Sequence, residues 1–144
     1  MKMAEKVEIV VASIHMNDGE KNEMEMTYTG EYEQVGMVHI IKYNEYEDDK
    51  IVNYNTMFIK EDFMRVVKMG QVTSELIFIK DENTQTTYCT PYGNIEMGVK
   101  THLICTDIAK NRINVKVLYS MLVGNDVISD TSMVVIIKKC DKCS

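Results

Sequence analysis

Tryptophan is absent from this 144-residue chain, proline occurs once, and phenylalanine and histidine occur three times each. No apolar run approaches the ~20 residues that a membrane helix requires, so no membrane partner is expected. There is no Gly-x-Ser-x-Gly elbow, no Gly-x-x-x-x-Gly-Lys loop and no Gly-x-Gly-x-x-Gly fingerprint. With those motifs go the usual signs of acyl transfer, nucleotide phosphates and dinucleotide cofactors, and no cofactor is expected. His15, His39 and His102 lie far apart, without the His-x-His or His-x-x-x-His spacing of a metal site. Each reads as an incidental strand histidine, with His39, among Val38, Ile40 and Ile41, the least ordinary. Linkers, repeats and low-complexity tracts are also missing, which leaves one domain over residues 1–144 with a core of about 6–138 and a tail of 139–144.

Charge excludes more. The net charge of -6 and pI of about 5.1 argue against nucleic acid, because phosphate binding needs clustered Lys and Arg. The densest basic stretch is only Lys138-Lys139. "MKMAEKVEIVVAS" is interrupted by Glu5, Lys6 and Glu8, so it lacks the apolar stretch of a signal peptide. A cytoplasmic protein with reduced thiols at Cys89, Cys105, Cys140 and Cys143 is the expectation. Cys140-x-x-Cys143 could supply half a zinc site or a dithiol; its place beyond the last apolar run favours a plain tail.

What the chain has in abundance is alternation. Met24, Met26, Tyr28, Gly30 and Tyr32 share one face of "EMEMTYTGEYE", and Glu23, Glu25, Glu31 and Glu33 share the other. Paired carboxylates two apart superficially resemble an acid–base pair, but opposite a Met/Tyr face they mark the solvated side of a strand. Ile95, Met97, Val99 and Thr101 repeat the pattern, as do Val115, Val117, Tyr119, Met121 and Val123.

Nine turn signals separate these runs: Asn17-Asp18-Gly19, Val35-Gly36, Asp48-Asp49, Glu61-Asp62, Gly70, Asp81-Glu82-Asn83, Pro91-Tyr92-Gly93, Lys110-Asn111 and Gly124-Asn125-Asp126. They imply ten strands and an antiparallel sandwich or barrel. Residues 55–70 could form a helix ending at Gly70, but Phe58-Ile59 and Val66-Val67 favour two strands around Glu61-Asp62. The lone proline fits a hairpin corner. Pro91 presets φ for a type I turn, and Gly93, at φ > 0, would close a G1 bulge.

Leu76 and Phe78 before an acidic turn, then Tyr88-x-Thr90-Pro91-Tyr92-Gly93 and the alternating Ile95, Met97, Val99 and Thr101, resemble a family of bacterial proteins of unknown function typified by YwiB. The likeness extends from about Val7 to Ile137, through "NDGE", "KMGQVTS" and "VGND". It implies a single all-β, calycin-like (lipocalin-like) antiparallel barrel of eight to ten strands with at most one short helix. It implies no activity or catalytic residue. Lys68 stands where such sequences often carry arginine, and the Gly-x-Trp signature of true lipocalins is missing.

Two functions follow from this barrel. One is a pocket lined by Met26, Tyr28, Phe78, Tyr88, Met97, Tyr119 and Met121, with Tyr92 at the mouth, taking a small hydrophobic or amphiphilic ligand. The twelve methionines serve it as a plastic wall, or serve simply as core filler. The other is a filled, non-catalytic barrel acting through a protein partner or as a homodimer. Catalysis ranks behind both.

Overall fold

The structure, a computed structural model, describes residues 5–140. They form ten strands and, among the described residues, no helix. The strands are β1 (Glu5–Asn17), β2 (Glu20–Val35), β3 (Val38–Glu47), β4 (Lys50–Lys60), β5 (Phe63–Gly70), β6 (Ser74–Ile79), β7 (Asn83–Thr90), β8 (Gly93–Ile108), β9 (Arg112–Val123) and β10 (Asp126–Lys139). Every expected turn separates two of them, and 55–70 is the expected pair of strands, β4 and β5. All pairings are antiparallel, in the order β6-β5-β4-β3-β2-β1-β10-β9-β8-β7. The first and last strands therefore pair with each other, Val7 opposite Lys139 through Met16 opposite Asp130. They roll a simple meander into a nearly closed barrel.

Because directly opposed residues project to the same side of a sheet, the register shows which face of each strand is internal. Ile9 opposes Ile137 and Tyr28, Met57 opposes Ile41 and Val66, and Val117 opposes Met133 and Ile104. The lower end carries the β2–β3, β4–β5, β6–β7 and β8–β9 turns. Its interior is solid: Ile9, Ile41, Ile59, Met64, Phe78, Val115, Val117 and Val135 are fully buried. Each such side chain contributes roughly 1.5–3 kcal/mol through its removal from water. Toward the upper end, with the other five turns, the inward row becomes more exposed, Met26 at 47% and Met24 at 58%.

Closure fails along β6 and β7. Thr73 and Cys89 exchange both backbone hydrogen bonds at 2.9 Å, a register that would set Glu75 opposite Thr87 and Ile77 opposite Gln85. Those pairs do not form. The Thr84 hydroxyl donates instead to the Ile77 carbonyl at 3.1 Å. The turn between the strands is tied to β8, Asp81 N–H donating to Thr101 O at 2.9 Å and Thr101 N–H to Glu82 O at 3.2 Å. This anchor lies beside the β8 bulge between Thr101 and Leu103. A seam is left, pinned at both ends.

At the lone proline the expectation holds in part. Gly93 has φ 129, but pairing is unbroken from Asn83–Lys100 to Thr90–Gly93. The loop is therefore the two residues Pro91 and Tyr92, without the expected bulge. Thr90 Oγ1 ties it, accepting from Tyr92 N–H at 3.2 Å and donating to Gly93 O at 2.8 Å. Gly30 is glycine for a different reason: β3 crosses so close that an added Cβ would overlap the Lys42 carbonyl and lie 2.8 Å from Ile9 Cδ1. Gly93→Val and Gly93→Asn should each cost on the order of 1–3 kcal/mol through backbone strain, because φ 129 lies beyond the left-handed region that asparagine tolerates. Gly30→Ala should cost a similar ~1–3 kcal/mol through overpacking. Denaturant melts check both, and a Gly30→Ala protein as stable as the parent would contradict the close crossing.

Candidate functional site

The inner wall at the upper end carries a polar layer that no sequence motif announced. Asn55 on β4 opposes Tyr43 on β3 and Lys68 on β5, while Asn53 opposes Glu45 and Gly70. Lys68 Nζ meets Glu45 Oε1 at 2.8 Å, the two side chains being 31% and 25% exposed. Asn55 Nδ2 donates to the same oxygen at 2.8 Å. Asn53 Oδ1 accepts from Val72 N–H at 3.0 Å, which leaves Asn55 Oδ1 buried with no donor among the described residues. Burial would raise the Glu45 pKa, but the Lys68 ammonium and the amides of Asn55 and Asn53 outweigh it and hold the carboxyl below its ordinary range. The carboxylate is charged at neutral pH.

Tyrosines flank this pair. The rings of Tyr28 and Tyr43 lie 4.5 Å apart. Burial, with the Tyr28 hydroxyl and Glu45 nearby, pushes the Tyr43 pKa far above the usual phenol range. Across the barrel the Phe78 and Tyr119 rings are 4.8 Å apart. The Tyr119 pKa is pushed up to about 12 by burial and by Tyr88, against a hydrogen bond from Thr131 that lowers it. Thr131 Oγ1 also meets His15 Nδ1 at 2.9 Å.

The seven residues expected to line a pocket divide by depth. Phe78, Tyr119 and Met121 are buried in the core. Tyr28, Tyr88 and Met97 pack against that core and are half-buried, and Met26 is 47% exposed. Tyr92 stands at its hairpin tip 99% exposed. The missed residues, Glu45, Asn53, Asn55 and Lys68, did leave a signal. Asn53 and Asn55 occupy the same alternating positions as Met57 and Ile59, so two amides interrupt an inward-facing row.

Elsewhere the chemistry is modest. His39 Nδ1 meets the Tyr32 hydroxyl at 2.7 Å. His102 Nε2 lies 2.7 Å from Ser120 Oγ, which in turn donates to Asp130. The serine sits between histidine and carboxylate rather than at the end of a relay, and it is 3% exposed. A serine nucleophile needs the histidine as its base and the carboxylate behind the histidine. Among the described residues no group of His, Cys, Asp and Glu could hold a metal. Glu23, Glu25 and Glu31 are exposed and Glu33 is half-buried. Cys89 and Cys105 are free thiols; Cys140 is disulfide-bonded, which corrects the expectation of four reduced cysteines. Cys143 and the rest of the tail from 141 on lie outside the described residues. A cleft of about 670 Å³ opens outward along the β6–β7 seam, between Arg65, Glu75, Gln85 and Glu96 and over the buried Ser74 and Thr86.

These features define an all-β barrel with a solid floor and a polar, partly open upper wall. Residues 9–135 match the family described as a domain of unknown function, DUF1934, and the chain belongs to that family. The uncharacterized beta-barrel protein YwiB of Bacillus subtilis (strain 168) is 24% identical over 127 residues, 88% of each chain. The crystal structure of the ywiB protein from Bacillus subtilis superposes with a TM-score of 0.85 at 21% identity, covering 97% of this chain and 95% of that one. The fold is shared.

The buried phenols give a titration test. A group whose folded pKa is raised stabilises the fold below its unfolded pKa, ~10 for tyrosine, and loses that contribution as pH rises through the folded value. Of the eight tyrosines, Tyr43 and Tyr119 should ionise only as the protein unfolds at or above about pH 12. Absorbance at the phenolate band, recorded with circular dichroism, checks this. A single titration of all eight near pH 10 with the fold intact would contradict the burial.

Proposed function

We propose that this protein is a non-catalytic binding module that holds a small amphiphilic molecule against its upper inner wall. The observation that carries the reading is the inward-facing Glu45–Lys68 pair, with Asn55 Oδ1 beside it, set in a wall of methionine and tyrosine. Charged groups are costly to enclose unless they are paired and hydrogen-bonded, so an inward ion pair is an unusual way to fill a barrel. It makes a fitting anchor for a polar head group. Met26, Tyr28, Tyr88 and Met97 would take the apolar part, while Phe78, Tyr119 and Met121 serve as the floor. Tyr119 also borders an outer groove that runs by way of Ile14, His102 and Leu118, whereas Met26, an exposed methionine of the inner row, stands at the upper end. The ligand would therefore lie in the open upper end, with the adaptable methionines shaping the site around it.

Native mass spectrometry of the gently purified protein should show a bound small molecule, and 1-anilinonaphthalene-8-sulfonate should fluoresce on binding. Lys68→Met should weaken retention of that dye at least several-fold while the circular dichroism stays that of the parent. Only the bare protein mass, together with no dye binding, would sink the proposal. Glu45 adds a pH signature. Its lowered pKa stabilises the fold above the unfolded carboxylate value of ~4.3, and that contribution is lost as pH falls through the folded value. The stability difference between the parent and Glu45→Gln should hold above about pH 5 and vanish in stronger acid.

A further inference from the structure

β2 is paired unequally on its two sides. Against β1 it is matched without a break from Glu20 to Tyr32. Against β3 it is matched only from Gly30 to Val35. Above the close crossing at Gly30, β3 bends away with β4, bulging between Glu45 and Tyr46. A groove of about 380 Å³ bordered by Thr29, Gly30, Tyr43 and Asn44 marks the fork. From Glu20 to Thr29, every second residue of β2 thus presents its backbone N–H and C=O to water.

A free edge of this length is a template for another strand, and edges are normally blunted by proline, bulges, shortness or charged side chains. Here only charge is present, net acidic over Glu20, Lys21, Glu23 and Glu25, so it repels an acidic strand and not a basic one. Glu20–Thr29 contains no proline, its register with β1 is regular, and it is ten residues long. The side chains indicate the occupant. Met24 and Met26, 58% and 47% exposed, lie on one face, and the exposed Glu23 and Glu25 on the other. Lys21, the one basic residue of the stretch, is taken by Glu23 at 3.0 Å. A second copy is a poor fit: antiparallel self-pairing about Met24 sets Glu23 against Glu25 twice, and like charges directly opposite are destabilising, while pairing about Asn22 relieves this only by setting Met24 against Glu20. We infer that the free edge of β2 accepts an extended segment of a partner protein by strand addition. Basic residues of that segment face Glu23 and Glu25, and apolar residues between them cover Met24 and Met26.

The test uses the full chain and two ten-residue peptides, one alternating lysine with valine, the other glutamate with valine. The lysine peptide should slow hydrogen exchange at alternate amides between 20 and 29. It should bind at least ten-fold more tightly than the glutamate peptide, and more weakly as salt is raised. A protein carrying Glu23→Lys and Glu25→Lys, both exposed positions, should keep its fold and reverse the preference. No protection of 20–29 by either peptide, or equal binding of both, would overturn the inference. So would a dimer that protects 20–29 without peptide, since that makes a second copy the occupant.

Discussion

Pairing of β1 with β10 is the constraint on which the rest of the molecule depends. These strands lie at opposite ends of the chain, and their pairing from Val7–Lys139 to Met16–Asp130 is what turns an open meander into a barrel. It places Ile9, Ile137 and Val135, each nearly or wholly inaccessible, in one layer. Without it both hairpin stacks would expose an apolar face to water. Nearly every other pairing joins neighbours in sequence and can form locally. This one must close a loop of almost the whole chain before any contact repays the entropy, the kind of contact that slows folding.

Once the chain ends are joined, the wall need not be tight everywhere, and the polar inward residues gather where it loosens. Glu45 and Tyr28 lie above the fork of β2 and β3. Ser74 and Thr86 lie at the β6–β7 seam, Thr86 Oγ1 without a partner among the described residues. Beneath these openings the lower interior is mostly apolar, with the buried His39, opposite Ile59 and hydrogen-bonded to Tyr32, as an exception. An interior amide or carboxylate is tolerable where water, a ligand or a neighbouring polar group can reach it. The partition of the interior is therefore a consequence of where the strands separate.

Much of this fold was legible because a strand half buried in a sheet writes its period directly into the chain. The nine turn signals fell between the ten strands, and even the ambiguous 55–70 resolved by its β-branched and aromatic residues. What was not legible has a common cause. Alternation tells which face a residue takes but not how deep it lies, so Met24, Met26 and Tyr28 read alike although their exposures differ. Nor does the pattern show where a ladder stops: β2 looks uniform from Glu20 to Val35, yet only its last six residues meet β3. The candidate site shared this blindness. Phe78 and Tyr119 lie deeper than their alternation could show, and the meeting of Asn55 and Lys68 at Glu45 is written in no single strand, because the three residues come from β4, β5 and β3.

The open seam also has a physical rationale within the chain itself. Zipping β6 to β7 in the register set by Thr73 and Cys89 would add ladder bonds near Glu75, Ile77, Gln85 and Thr87, each contributing a net ~0.5–1.5 kcal/mol. The same groups already reach water on an exposed cleft, so the gain lies at the low end of that range. Against it stand three bonds that hold the seam apart: Thr84 Oγ1 to Ile77 O, and the two that tie Asp81 and Glu82 to Thr101. Closing the ladder would free the Thr84 hydroxyl and pull the turn from β8, where Thr101 is 1% exposed and its backbone would have to find other partners. A buried backbone group without a partner costs about 1–3 kcal/mol, more than a water-exposed ladder bond returns. The anchoring of the turn to Thr101, beside the β8 bulge, is thus the contact that sets a closed β6–β7 ladder against the burial of β8.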